Sequence, residues 1–358
     1  MRPVGGRTGG VGFTPARVFG LGGVFLVLLF GAFLLAVCFG EGPLSLGEVL
    51  GDPESLDSHI FWTLRVPRAV LAALVGAGLA VSGSTLQGVL RNPLADPFIL
   101  GVSGGAALGA TLALAVGLGT VEVEKVAPGL GGGLERISAP ALFAFVGAVA
   151  AMLFVLAASR GHGGRAPYAA LLTGVVFNAF AAAAITLIKT ISNPNQVGAM
   201  LFWLAGNLNK EHLGTLVLSA LLQAVAIGVM LALSGRLNLL TLGDEDAASL
   251  GVHVARTRRL LLLAASASVA GAVVLSGLIG FVGLIVPHLL RLVLGPDQRL
   301  LVPLSALGGA VFLLLADLLA RLAYPLFGQD LPVGVVTALL GGPLFLALLY
   351  RSGRLTVG

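Results

Sequence analysis

Apolar runs of bilayer length recur along this chain, and that feature removes most soluble folds from consideration. About 20 residues at 1.5 Å each cover a hydrocarbon core of roughly 30 Å, so such a run reads as a membrane-crossing helix. Runs of this kind, a few of them shorter, cover residues 18–39, 67–88, 98–119, 138–158, 168–189, 213–233, 260–276, 280–294, 302–320 and 333–350. The expected fold is all-α: a polytopic membrane protein of ten transmembrane helices. Residues 18–352 form one domain, and residues 1–17 form a disordered basic tail. The first run, from Val18 to Phe39, is too long for a secretory h-region and is read as a retained helix. Charged residues make up 10% of the 358, where a soluble chain carries about 25%. The mean hydropathy is +1.02.

A net charge of +5 does not require a nucleic-acid partner here, because Lys and Arg gather in the cytoplasmic loops of membrane proteins. An even number of helices puts both termini on one side. Fourteen of the 21 Lys and Arg residues then share that side, among them Arg91, Arg236, Arg256, Arg258 and Arg259. Seven fall opposite, together with Glu41, Glu48, Asp52, Glu54 and Asp57. The excess assigns both termini to the cytoplasm. The one cysteine, Cys38, lies in an apolar run and forms no intrachain disulfide.

The segment RNPLADPFILGVSGGAALGA, residues 91–110, interrupts this pattern. Pro93 and Pro97 lack N–H donors and disfavour helix at the residues before them. Asn92 and Asp96 can bond local backbone or cap the next helix. The reading is a tight cytoplasmic turn between the second and third spans. Gly101, Gly105 and Gly109 follow at four-residue spacing and form one smooth helical stripe. Residues 76–88, GAGLAVSGSTLQG, carry a similar small face with Ser82, Ser84 and Thr85. Such stripes let helices approach closely; they also suit the wall of a polar path.

Residues 64–110, LRVPRAVLAALVGAGLAVSGSTLQGVLRNPLADPFILGVSGGAALGA, resemble the FecCD transport family, the permeases of bacterial importers for iron-siderophores, haem and vitamin B12. So do residues 276–321, SGLIGFVGLIVPHLLRLVLGPDQRLLVPLSALGGAVFLLLADLLAR, and residues 331–351. The resemblance implies the fold of a type II ATP-binding-cassette importer permease. It implies a homodimer with a second permease copy, two cytoplasmic ATPase subunits, and a periplasmic or lipid-anchored substrate-binding protein, all in a bacterial or archaeal plasma membrane. It implies a path or gate drawn from Ser82, Ser84, Thr85, Gln87, Asn92, Pro93, Gly101 and Ser103. No cofactor or metal is expected in the chain, and no nucleic-acid partner.

Residues 234–259 form the longest polar cytoplasmic connection. Gly243 breaks it, Asp244 or Glu245 can cap a short helix, and Gly251 divides two pieces. Ala247, Ala248, Leu250 and Val254 can form an apolar face fit for a partner's groove. By resemblance this is the segment that docks on the ATPase, through Gly243, Asp244, Glu245, Ala247, Leu250 and Gly251. On the other face, Arg65, Arg68 and Arg321 match by resemblance the arginines that pair with glutamates of the binding protein, a geometry suited to the guanidinium fork.

Asp317 lies within a span, four residues before Arg321. An intramembrane acid marks function by default, so an ion-coupled secondary transporter using Asp317 is the alternative reading; pairing with Arg321 is the structural one. His288 has no neighbour at ligand spacing. Residues 190–212 read as an interfacial segment and a possible outer gate element. The three lysines follow Glu124, Ile188 and Asn209, so no G-x-x-x-x-G-K-[ST] phosphate loop exists. The chain is not expected to be an enzyme; power comes from separate subunits or an ion gradient.

Overall fold

The computed structural model describes residues 15–122, 136–159, 166–208 and 213–354. The tail expected over residues 1–17 lies outside them except for the start of the first helix, as do Lys125, Arg160, Arg165 and Lys210. The main helices are α1 (Pro15–Cys38), α2 (Val66–Val89), α3 (Val102–Ala115), α4 (Ala139–Ala158), α5 (Ala166–Ile191), α6 (Leu213–Ala232), α7 (Val254–Ser276), α8 (Val282–Leu294), α9 (Gln298–Leu322) and α10 (Val333–Arg354). A short antiparallel pair, β1 (Thr120–Glu122) with β2 (Arg136–Ser138), joins α3 to α4, with Thr120 opposite Ser138.

Among the described residues, seven segments are long and apolar enough to cross a membrane: Phe19–Cys38, Leu56–Val89, Ala139–Ala158, Ala169–Ile191, Gly214–Ala232, Val254–Ser276 and Gln298–Phe327. The other three apolar helices are shorter: α3, α8 and the Val333–Ala347 part of α10. The 14 residues of α3 and 13 of α8 reach only about 20 Å, so the helices within the expected spans 98–119 and 280–294 cover about two thirds of the bilayer core. Local chemistry explains this. Pro97–Leu100 forms a 3₁₀ turn, and Gly101 takes the left-handed region at φ 82° before α3 begins. Past α7, Gly277 breaks the chain at φ 65°, where the sequence places the break.

Helix α2 is the axis of the bundle. Every residue from Gly78 to Val89 is buried, as expected for a helix that is apolar or small all round. It packs on α9, α7 and α8. The small residues set these crossings. A Cβ on Gly76 would overlap the carbonyl of Gly309 in α9, and one on Gly83 would overlap the carbonyl of Gly283 in α8. The Gly101–Gly109 stripe does the same on the other side of the bundle, where Gly105 meets the carbonyl of Gly147 and Gly109 that of Phe143, both in α4. That stripe serves packing, and Gly101 is buried with it.

The break after α7 is enclosed by protein. Asn207 N–H donates to the Ser276 carbonyl (2.8 Å), and Gly334 N–H donates to the Gly206 carbonyl (3.1 Å). The helix Pro194–Leu204 leads into this region, opened by a reciprocal cap between Asn193 and Gln196.

Gly83→Ala is expected to lower the melting temperature in detergent, with a loss of about 1–3 kcal/mol, because backbone cannot yield to the added methyl. Gly228→Ala, on an exposed face of α6 with nothing within 4 Å, is the control and is expected to gain up to about 1 kcal/mol. Equal melting of the two proteins would refute the close-packed crossing.

Candidate translocation path, coupling segment and outer arginine cluster

The candidate coupling segment, expected as two short pieces, holds one short helix, Asp244–Ser249, entered through Gly243 (φ 147°) and left through Gly251 (φ 84°). Its first turn holds Asp244, Glu245 and Asp246, the sign that suits a helix amino end. Ala247 departs from expectation. It is fully buried, with Val252, against the protein's own core, because its side of the helix faces the bundle. Val254 is drawn into α7. The apolar surface left outward includes Leu242, Ala248 and Leu250, the last 58% exposed. Glu245 and Gly251 are exposed beside them.

Asp244 faces inward to an ionic junction. Arg258, in the first turn of α7, grips it with two bonds, Nη2 to Oδ1 (2.8 Å) and Nη1 to Oδ2 (3.1 Å). Arg91, just past α2, donates to the same Oδ1 and, through Nε, to the Leu240 carbonyl (2.8 Å). Arg258 first, then Arg91, holds the Asp244 carboxyl below its ordinary range. Arg91 sits at φ 49°, the left-handed position of the turn that ends α2, in which Asn92 N–H donates to the Gln87 carbonyl (3.1 Å) and Arg91 N–H to that of Gly88 (3.3 Å). The charge at the head of RNPLADP thus ties the end of α2 to the docking segment and the start of α7. The sequence marked the turn there, but nothing in it names Asp244 as the partner, 153 residues away.

The expected path residues divide. Ser82, Ser84, Thr85 and Gln87 lie inside the single chain, against neighbouring helices, and do not line an open face. Ser82 Oγ donates to the carbonyls of Gly78 (2.7 Å) and Ala265 (3.2 Å). Ser84 Oγ donates to Gln298 Oε1 (3.4 Å), and Gln87 Nε2 donates to the carbonyls of Gly283 (3.3 Å) and Leu284 (3.2 Å). Their burial follows from α2 being covered by neighbouring helices on all sides from Gly78 to Val89. Asn92 and Pro93 are exposed in the turn. Ser103 borders an open pocket of about 420 Å³, with Asp96, Phe98, Asn178 and Phe281 among its walls. Burial raises the Asp96 carboxyl, against the lowering effect of its bond from Phe98 N–H. Only spatial proximity brings Asn178 and Phe281 to Ser103; no spacing in the sequence predicts it.

The three outer arginines were expected to point at a partner, and the structure turns them inward. Asp317 in α9 is fully buried and holds two of them. Arg321 Nε donates to its Oδ2 (3.0 Å), and Arg68 Nε donates to its Oδ1 (2.9 Å). The first is the i,i+4 partner that the spacing anticipates; the second is new. Both carboxylate oxygens are engaged, which gives no support to an ion-coupling role. Arg321 also donates to the carbonyls of Ala36 (2.8 Å) and Phe39 (3.1 Å) at the end of α1. Arg65 donates to those of Val37 (3.3 Å), Cys38 (2.8 Å) and Gly42 (2.8 Å). Last-turn carbonyls have no partner within their own helix, and here two guanidinium groups supply it. Arg68 is the most exposed of the three. It reaches Asp330 (3.1 Å) and, at 4.0 Å, Glu41. Burial, then the neighbouring Asp330, raises the Glu41 carboxyl. Among the described residues no group of three or more His, Cys, Asp and Glu is placed to hold a metal ion.

Arg321→Ala is expected to destabilise the isolated permease by on the order of 2 kcal/mol, since it strips partners from a buried carboxylate and two carbonyls. Thermal unfolding in detergent without any binding protein measures this. A residue used for docking alone would leave that melting temperature unchanged.

The sequence profile of the FecCD transport family matches residues 27–351. The hemin transport system permease protein HmuU of Yersinia pestis is 43% identical over 298 residues, covering 82% of this chain and 84% of that protein. The cobalamin import system permease protein BtuC of Halobacterium salinarum is 42% identical over 299 residues, 84% of this chain and 75% of that protein. A solved structure of a metal-chelate type ABC transporter in an inward-facing conformation superposes with a TM-score of 0.77 at 31% identity, covering 94% of this chain and 99% of that one. With matches this long, at this identity and on this fold, the chain belongs to the FecCD transport family.

Proposed function

We propose that the chain is the transmembrane permease subunit of an ATP-binding-cassette importer. It carries a bulky metal chelate, of the iron-siderophore, haem or cobalamin class, from the periplasm or cell exterior to the cytoplasm by alternating access. The observation that carries this reading is the family match over residues 27–351. Relatives named for hemin and cobalamin transport support the cargo class.

In this scheme the chain crosses the bilayer ten times, with α3, α8 and α10 completing their crossings through the turns beside them. Both termini are cytoplasmic, in keeping with the distribution of Lys and Arg. Two copies pair around the path. The outward apolar residues of α5, such as Val175, Val176 and Phe180, support α5 as a wall or partner face. Hydrolysis belongs to two separate ATPase subunits, and the permease needs no cofactor of its own. The ATPase meets Leu242, Glu245, Leu250 and Gly251. Asp244 and Ala247 act behind that surface by fixing the short helix to the bundle. On the outer face, Arg68 and the carboxylates beside it offer the surface nearest to the expected docking site, while Arg65 and Arg321 hold the end of α1 beneath it.

Conformational change needs contacts that differ between two states. The Arg91–Asp244–Arg258 junction makes the docking helix, the end of α2 and the start of α7 move together, so a displacement imposed by the ATPase reaches the bundle axis.

The test is uptake of labelled haemin, cyanocobalamin and a ferric siderophore by proteoliposomes holding the permease, its ATPase and its binding protein. ATP-dependent uptake of at least one is expected. Uptake that persists without ATP and collapses with an ion gradient overturns the reading. Leu250→Asp is expected to cut ATP-driven uptake at least about tenfold by removing an apolar anchor at a partner interface, with the melting temperature of the permease unchanged.

A further inference from the structure

Three segments of the outer face meet at Arg68. Its Nε donates to the fully buried Asp317 in α9. Its Nη1 lies 3.1 Å from Asp330 Oδ2 and 4.0 Å from Glu41 Oε1. Asp330 belongs to the turn between the helix Tyr324–Phe327 and α10, and Glu41 to the bend that follows α1. One guanidinium nitrogen therefore faces two carboxyl groups from opposite ends of the chain. Gly40 permits the approach, since a Cβ there would come within 2.9 Å of Arg321 Nη1.

The charged groups around Glu41 are Arg65 and Arg68 on α2, Asp317 and Arg321 on α9, and Asp330 on the turn. Arg65 is committed to carbonyls at and beyond the end of α1, and Arg321 to Asp317 and to carbonyls of the same helix end. Arg68 Nη1 is left to serve Asp330 and Glu41 together. It occupies Asp330 Oδ2, while Asp330 Oδ1 is buried with no donor. The Glu41 and Asp330 side chains are in hydrogen-bonding contact. Two ionised carboxylates can only repel in such a contact; a proton on Glu41 makes it an O–H donor and turns the contact attractive. Burial first, and then the bond and charge of Asp330, raise the Glu41 carboxyl above its ordinary value, against the lowering pull of Arg68 and Arg321.

We propose that Glu41 and Asp330 form a proton-dependent latch on the outer face. With one proton between them, the pair joins the segment after α1 to the turn that enters α10; without it the two carboxylates separate and the turn is released. A carboxyl held above its unfolded value contributes stability in full below that value and loses it as pH rises through the raised one. The latch is therefore closed in mild acid and opens as pH rises. Its closed form also changes the surface: Arg65, Arg68 and Arg321 balance Glu41, Asp317 and Asp330 when all are ionised, and one bound proton leaves a net charge of about +1.

The experiment uses the full-length permease in nanodiscs on a Cys38→Ser background, which removes the one native cysteine. Spin labels are placed at Leu50→Cys and Gln329→Cys, and labelled chains are diluted into unlabelled ones. Leu50, 84% exposed, is the fixed reference, because Ser45 N–H ties the start of its helix to Asp57 (2.7 Å). Gln329, exposed beside Asp330, moves with the turn. Pulsed electron paramagnetic resonance is expected to give one narrow distance distribution at about pH 5, with a closed-to-open ratio at least about threefold lower at about pH 8. Glu41→Gln, whose amide N–H donates to Asp330 at every pH, is expected to stay closed throughout. Glu41→Ala is expected to be open throughout. In thermal unfolding, the excess melting temperature of the parent over Glu41→Ala is expected to shrink as pH rises. An unchanged parent distribution between the two pH values overturns the latch. So does a pH response that persists in Glu41→Gln, or an excess melting temperature that grows with pH.

Discussion

Hydrocarbon offers no hydrogen bonds, so every place where this chain leaves the helical ladder inside the bundle must find its partners in protein. The whole arrangement answers to that constraint. The short helices α3 and α8 require breaks at 97–101 and 277–281, and each break is lined by other elements. The carbonyl of Ser276 takes the Asn207 N–H, Gly206 takes the Gly334 N–H, and Phe98 takes two side chains. The small residues of α2 then let neighbours come close enough to cover these irregular stretches. Bulk along α2 would push α8 and α9 away and open the breaks to lipid.

The same constraint sorts the polar side chains of the bundle. Inside α2, Ser82 donates to the Ala265 carbonyl, Gln87 Nε2 to that of Gly283 and Ser84 to the Gln298 side chain, while Thr85 Oγ1 and Gln87 Oε1 are buried with no partner.

Much of the architecture was legible from spacing. The apolar runs located the main helices, the Ser276-Gly277 break was placed correctly, and the i,i+4 interval paired Asp317 with Arg321. The polar loop at 243–255 was read as two short helices divided at Gly251; the first is there as Asp244–Ser249, while Val254 belongs to α7. Three things were not legible, each for a physical reason. The orientation of Ala247 depends on which side of a six-residue helix the bundle occupies, and one and a half turns are too few to fix a face. The inward turn of Arg65 and Arg321 depends on the carbonyls at the end of α1, and that of Arg68 on Asp317 in α9 lying within reach, which no local pattern encodes. The short length of α3 was hidden because Phe98, Ile99 and Leu100 are as apolar as the helix that follows, so hydropathy runs straight through the turn.

The clamp on the end of α1 joins parts made at opposite ends of synthesis. Arg321 reaches across 285 residues to Ala36 and 282 to Phe39. When the ribosome has delivered only the first two helices, Arg65 can already hold its share of those carbonyls, but the remainder stay open until the ninth helix emerges. Biogenesis thus leaves the leading helix loosely seated for most of translation, and a single late arrival locks it, so truncation before residue 321 releases the beginning of the protein as well as its end.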